Sequence, residues 1–350
     1  MISKVAISNY KSIEKLEIPL SNVNVFIGEN GCGKSNILEA VGMACAAQTN
    51  QLTTEDLFNR GIRVAKPALT FNSFLNKSRQ KEIEICLHTK SEECKALLFV
   101  ENENDIFSYW QRRFHFENNA SNPHNPLQYL KNFLIYNLNT RALRGFFNES
   151  KKEPLGIYGE NLDVLLSTFT DEQKREILSC NFINWLEDFN TFDNLQKEGY
   201  KLGRSSSKLY FTDRYMQKKN NLFSAENVNE GALHVLFYLA LFISEKTPEF
   251  FAIDTIETAL NPYLCRKLMQ AVAKLAGEHN KQVLIATHNP AILDGLNLND
   301  ENQKLFIVKR TNTGRTITEE LKAKPQLVEG KYKLSELWMR GFIGGLPVDF

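Results

Sequence analysis

The chain has 350 residues, 43% of them hydrophobic and 24% charged, with 42 Lys plus Arg against 41 Asp plus Glu and a formal net charge of +1. Such a composition suits a globular protein with a sizeable core, and the charge balance excludes a globally basic nucleic-acid binder while leaving a local basic groove open. No apolar run reaches the ~20 residues of a spanning helix, no signal-type stretch opens the chain, and the six cysteines form no CxxC pair. A soluble, cytoplasmic protein with reduced thiols and no membrane association is therefore expected.

Alternating apolar residues over Ile2–Ser8 and Ile13–Leu20 predict paired strands, and Val23–Ile27 predicts a third. The third runs into Gly28-Glu29-Asn30-Gly31-Cys32-Gly33-Lys34-Ser35, which fits GxxxxGK[ST] at every fixed position. Gly31 and Gly33 let the backbone curl with its N–H groups inward as a cradle for phosphate oxygens. A helix over about Lys34–Ala47 aims its positive end at the same place. Lys34 can reach the β- and γ-phosphates of ATP, and the Ser35 hydroxyl can ligate Mg²⁺. Asn30, Gly31, Cys32, Gly33, Lys34, Ser35 and Asn36 are thus the candidate nucleotide-binding residues. A chance match on a surface turn is the alternative, and the strand–loop–helix order argues against it. Cys32 reads as a tolerated small side chain in preference to an oxidation switch.

From Leu69 to about Val100 the alternation predicts antiparallel strands that complete a first lobe. Residues 101–220 read as a mainly helical insertion, with a polar loop at Asn102–Pro126, a buried stretch from Pro126 to about Thr140, and helical spacing at Leu162–Leu166 and Glu172–Phe189. Glu249–Asp254 is an apolar run ending in a carboxylate, followed by a helix over about Tyr263–His279 and a strand, Gln282–Thr287, ending in His288-Asn289-Pro290. Strand, polar tip and helix in repetition describe a doubly wound sheet, which binds ligands at the carboxyl ends of its strands. Asp254 is the candidate metal residue beside Ser35. His288 is a candidate γ-phosphate sensor, the alternative being a capping residue for a helix starting at Asn289-Pro290.

Asn9-Tyr10-Lys11-Ser12-Ile13, the phosphate loop, the strand ending in Asp254, Leu260-Asn261-Pro262 and Ala286-Thr287-His288-Asn289-Pro290 together resemble the ABC-type ATPase head, most closely its RecF-like and overcoming-lysogenization-defect-like group. Gly156-Ile157-Tyr158-Gly159-Glu160-Asn161-Leu162 and the closing Arg340–Pro347 are similar to segments of that group. The resemblance implies an α/β P-loop NTPase fold of ABC-ATPase-head type: a mixed, largely parallel sheet with flanking helices, an antiparallel β subdomain and the insertion. Residues 1–100 and 221–310 would be the two halves of the head, 101–220 the insertion and 311–350 a tail. Asn229-Glu230-Gly231, ahead of a helix at Ala232–Ile243, resembles the family's signature, which caps the γ-phosphate held by a second subunit; a plain helix cap would look the same. A homodimer or higher even-numbered oligomer joined through an ATP sandwich follows from the resemblance.

One departure stands out, because the family usually places a glutamate directly after the metal-site aspartate and this chain has Thr255. Either Glu257 or His288 then positions the attacking water, or hydrolysis is slow and ATP acts as a switch. The resemblance extends to ATPase components of Septu- and retron-type anti-phage systems, which work with a nuclease. No nuclease-like acidic constellation, GxSxG or zinc spacing occurs here, so any cutting is expected in another chain. Basic clusters at Arg112-Arg113, Arg141/Arg144, Lys151-Lys152, Arg204–Lys208 and Lys218-Lys219 form either a phosphate-tracking groove or ordinary solvated faces. Leu334–Phe350 is either a docking element or part of the chain's own core. The leading expectation is an ATP-dependent dimeric switch controlling a separate effector such as a nuclease. A repair or recombination ATPase acting directly on DNA, a transporter's nucleotide-binding subunit and an ATP-bound scaffold are the alternatives.

Overall fold

The computed structural model describes residues 1–75, 80–89, 93–117, 128–146, 154–192, 204–323 and 333–345. Its centre is a six-stranded sheet in the order β14 (Thr316–Glu320), β13 (Gln303–Arg310), β3 (Val23–Ile27), β12 (Gln282–Thr287), β11 (Phe250–Asp254) and β7 (Ile135–Tyr136). All neighbours pair in parallel except the β13–β14 hairpin. An antiparallel sheet of β2 (Ile13–Pro19), β1 (Lys4–Tyr10), β4 (Ile83–His88), β5 (Glu93–Phe99) and β6 (Gln111–Glu117) forms a second layer. A third, smaller sheet joins β10 (Leu222–Ser224), β9 (Leu209–Asp213) and β8 (Leu186–Thr191).

The central strands are apolar without alternation because each feeds two cores. Val23, Val25 and Ile27 of β3, Phe251 and Ile253 of β11, and Val283 and Ile285 of β12 face one core. Their neighbours Phe26, Phe250, Ala252, Leu284 and Ala286 face the other. A parallel sheet covered on both faces requires this pattern. Helix α1 (Lys34–Gln48) lies in the second core between the two large sheets, buried from Ile37 to Ala47, which accounts for its run of Ala, Gly and Cys. At Gly42 an added Cβ would come within 3.0 Å of Ile62. On the opposite face pack α6 (Glu230–Ile243), buried on every side from Ala232 onward, and the amphipathic α7 (Pro262–Glu278). Asn261 caps α7 by accepting from the Leu264 N–H at 2.9 Å, with Pro262 in the first turn, so Leu260-Asn261-Pro262 is a helix start.

The stretch 101–220 departs from the mainly helical expectation. It contains the short helices α2's later counterparts α3 (Thr140–Leu143), α4 (Leu162–Leu166) and α5 (Asp171–Ser179), α2 itself being Thr54–Phe58, but it also supplies β6, β7, β8 and β9. Leu186 and Phe189, three apart, mimic helical spacing; an irregularity between Leu186 and Asp188 in the β8–β9 ladder puts both on one buried face of a strand. Asn289-Pro290 opens a short 3₁₀ segment, Pro290–Gly295. Helix α8 (Leu334–Met339) packs on that segment, burying Leu337 and Trp338, so this part of the tail belongs to the chain's own core. Lys151-Lys152, Pro123, Pro126, Leu127 and Leu346-Pro347 lie outside the described residues.

One buried titratable group reports on this packing. His234 on α6 is fully buried, its Nε2 is 3.1 Å from Thr140 Oγ1, and burial pushes its imidazole down to about 4 from 6.5. Between those values the unfolded chain binds a proton that the folded chain does not, so stability falls as pH falls through the window, by up to about 3 kcal/mol. Urea unfolding of wild type should therefore lose stability more steeply from pH 6.5 to 4.5 than that of His234→Gln; equal slopes would contradict the assignment.

Candidate active site

Parallel register brings the chemistry to one edge. Asp254 pairs with Ala286, and Thr287 with Ile27, so β3, β11 and β12 end nearly flush. The loop after β3 adopts a left-handed conformation that favours glycine at two points: φ is 78° at Gly31 and 110° at Gly33. An added Cβ at Gly33 would lie 2.2 Å from Thr316 Oγ1. Lys34 Nζ donates to the carbonyls of Gly28 at 2.8 Å and Glu29 at 2.9 Å. Asn30 and Gly31 are exposed at the loop's tip, whereas Cys32 is fully buried and burial raises its thiol above the ordinary range, which keeps it an inert thiol.

The loop is braced from the far end of the sequence. Asn36 Nδ2 donates to Ser12 Oγ at 2.8 Å, Ser12 Oγ lies 2.7 Å from Thr316 Oγ1, and Thr316 Oγ1 donates to the Cys32 carbonyl at 2.8 Å. Because the single Thr316 hydroxyl proton goes to Cys32, Ser12 is the donor in the middle bond, giving one directional relay. Arg310 Nη1 adds a bond to the Gly31 carbonyl at 3.3 Å.

Ser35 Oγ donates to Asp254 Oδ2 at 2.7 Å, joining the phosphate loop to β11. Burial raises the Asp254 carboxyl above its ordinary value, while the Ser35 bond and the charges of Arg63 and Lys34 pull it back down. A hydroxyl and a carboxylate side by side are hard oxygen donors of the kind magnesium takes, with the rest of its shell left to water and phosphate. These two residues would hold the ion, which would neutralise phosphate charge.

Thr255 sits at φ 60°, a left-handed conformation that is costly for a β-branched residue. Its N–H continues the ladder to the Ala286 carbonyl at 3.0 Å, and its hydroxyl donates to the Asp254 carbonyl at 2.6 Å. Glu257 is buried with both oxygens engaged. Oε2 accepts from Thr287 Oγ1 at 2.8 Å, while Oε1 accepts from the His288 N–H at 3.1 Å and lies 3.0 Å from His288 Nδ1. His288 is half exposed at the end of β12, held by this carboxylate. Asn229 Oδ1 accepts from the Ala232 N–H at 2.8 Å as the cap of α6, and Glu230 accepts from Thr140 at 3.2 Å. Gly231 leaves room for the Ala259 carbonyl, 3.3 Å from where a Cβ would stand. Among the described residues the triplet forms no hydrogen bond with the phosphate loop, and Asn229 and Glu230 face outward.

Three neighbours of the site escape sequence reading. Glu39 on α1 is buried and ion-paired with both Lys11 and Arg63, and Arg63 Nη2 also donates to Asn36 Oδ1 at 3.1 Å. Asn137, just after β7, lies 3.5 Å from Thr255 Oγ1; a polar residue ending the apolar run Phe133–Tyr136 was its only signal. Thr316 had none. Three arginines of the basic clusters have partners within the chain. Arg112 donates to the Ala47 carbonyl, Arg113 pairs with Glu82 at 3.7 Å, and Arg144 donates to the Val228 carbonyl at 3.0 Å.

Comparison with known proteins agrees with this geometry. The family model described as "AAA ATPase domain" matches residues 1–234, and a second, "AAA domain, putative AbiEii toxin, Type IV TA system", matches residues 217–294. The chain is similar to the DNA replication and repair protein RecF of Phocaeicola vulgatus, 36% identical over 64 residues, and of Listeria welshimeri, 40% identical over 58 residues. Those matches cover 17% of each chain in the first case and 16% in the second, so the chain spans about a sixth of the length of the curated relatives it matches. Among solved structures it is similar to the SMC head domain from Thermotoga maritima (TM-score 0.54, 13% identity, 92% of this chain and 99% of that one). It is also similar to an Smc head solved with the C-winged helix domain of ScpA (TM-score 0.59, 16% identity, 93% and 99%). At such identities the likeness establishes the fold, which is that of the SMC and ABC-type ATPase head. With two thirds of its length matched and its phosphate loop and acidic strand end brought together, the chain belongs to the AAA ATPase domain family.

Proposed function

We propose that the chain is a Mg²⁺-dependent ATPase of slow intrinsic turnover, working as a nucleotide-held dimeric switch for a separate effector. The observation that carries this reading is the 2.7 Å bond between Ser35 and Asp254 at the mouth of a glycine-built loop. Lys34 and the loop N–H groups would take the phosphates, and Ser35 and Asp254 the metal. In the position after Asp254, Thr255 has no carboxylate to offer a water, and both oxygens of Glu257 are committed to Thr287 and His288. Glu257 is therefore a positioning residue for His288, which is left to face the γ-phosphate. Loss of a general base typically costs about 10²–10⁴-fold.

The outward-facing Asn229-Glu230-Gly231 at the start of α6 suits capping of a nucleotide bound by a second copy. A dimeric switch needs an effector, and a nuclease in another chain, as in anti-phage systems, fits the absence of a second catalytic constellation among the described residues. Direct action on DNA, the second reading, is favoured by the short RecF similarity and opposed by the pairing of Arg112 and Arg113 within the chain.

Two outcomes follow. Purified wild type should hydrolyse ATP at no more than about 0.1 s⁻¹, a typical kcat reduced by the missing base, with Lys34→Ala inactive and Thr255→Glu faster by about tenfold or more; brisk wild-type turnover would overturn the slow-switch reading. Light scattering should show the mass doubling with ATP and Mg²⁺ in wild type and staying monomeric in Lys34→Ala; a mass indifferent to nucleotide would remove the sandwich.

A further inference from the structure

At the end of α1 remote from the phosphate loop lies a cavity of about 350 Å³. Its lining includes Thr49, Gln51, Arg60, Lys131, Tyr136 and Lys246, and no carboxylate among the described residues contributes to it. In a chain with 42 basic and 41 acidic residues, three cations around one hollow without an acid is a local excess.

Arg60 is the core of the argument. It is 1% exposed, yet forms no ion pair among the described residues. Nη2 donates to Gln51 Oε1 at 2.6 Å and to Thr49 Oγ1 at 3.2 Å, Nη1 donates to the Phe133 carbonyl at 3.0 Å, and Nε has no partner. The Cys45 and Asp56 side chains act on it through space without an ion pair, so a buried guanidinium whose hydrogen bonds all go to neutral oxygens keeps part of its charge uncompensated. Lys281, 2% exposed, donates to the carbonyls of Ser244 at 2.8 Å and of the lining residues Thr247 at 3.1 Å and Pro248 at 3.3 Å; Glu249 and Glu245 act on its charge without an ion pair among the described residues. The Tyr136 hydroxyl is fully buried and unpartnered. Lys131, half-buried, and Lys246, exposed, also line the cavity. Pockets that hold small ligands run to roughly 300–1,000 Å³, so the volume suits a mononucleotide-sized molecule.

We propose that this cavity is a second anion site, separate from the phosphate loop, that takes a phosphate-bearing small molecule, with Lys131 and Lys246 receiving the anion and Arg60 supplying the buried charge. It does not rest on hydrolysis at the first site. The two sites share α1, whose 15 residues span about 22 Å between Lys34 and the Thr49–Gln51 wall, and Arg60 lies three residues before the Arg63 that bonds Asn36. Occupancy here is thus mechanically connected to the nucleotide loop.

The test is calorimetric titration of inorganic pyrophosphate and, separately, AMP into full-length Lys34→Ala protein, in which the first site lacks its phosphate lysine. At least one probe should bind at one site per chain. Binding should weaken by about tenfold or more in Lys34→Ala/Lys131→Glu/Lys246→Glu. It should be unchanged in Lys34→Ala/Lys218→Glu/Lys219→Glu, which carries the same charge change on an exposed turn. A preference for AMP would identify a nucleoside phosphate, and a preference for pyrophosphate a bare phosphoanion. Binding of neither probe, equal loss in both charge-reversed proteins, or no loss on reversing Lys131 and Lys246 would overturn the assignment.

Discussion

Burial of the parallel sheet on both faces is the constraint on which the rest depends. Because β3, β11 and β12 are buried along their length and send apolar side chains into both cores, no strand can slip by one position without exchanging its two faces. The register so fixed sets Ile27, Asp254 and Thr287 at one edge. The phosphate loop, the acidic end of β11 and the histidine after β12 then meet as a consequence of packing, and Ser35 needs only its hydroxyl to join two of them.

The loop owes its shape to more than its glycines. The β13–β14 hairpin carries Thr316 to the back of Gly33, where no side chain fits, and a single directional chain of hydroxyl and amide bonds ties Asn36, Ser12, Thr316 and Cys32 together. Residues from the first turn of the chain and from its last strand thereby hold the phosphate loop between them. The same logic operates beside it, where buried Glu39 is neutralised by Lys11 from the β1–β2 turn and by Arg63. Backbone strain falls at Thr255, where a β-branched residue at positive φ separates the Asp254 carboxylate from Glu257.

The parts of this site legible in the sequence are those in which one local pattern does the work. The glycine loop announces itself by spacing, and Asp254 and His288 by their place at the ends of apolar runs. What was not legible depends on contacts across the chain: Thr316 and Cys32 lie 284 positions apart, and Arg63, in the loop after α2, pairs with Glu39 of α1 across 24 positions. The expectation of a mainly helical middle failed where two apolar residues three apart, Leu186 and Phe189, reached one face through a strand irregularity in place of a helical turn. The helix-cap reading of Asn229 is realised in its bond to Ala232, and that bond is compatible with a signature role, since a cap orients the same helix end outward.

The central claim is that the ends of the parallel strands form one magnesium–nucleotide site through Ser35 and Asp254. The most direct measurement is ATP affinity with and without Mg²⁺ for wild type, Ser35→Ala and Asp254→Asn, each checked for folding by circular dichroism. The account predicts that magnesium tightens ATP binding in wild type and that folded Ser35→Ala and Asp254→Asn lose that dependence together. The same gain from magnesium in all three proteins would contradict it.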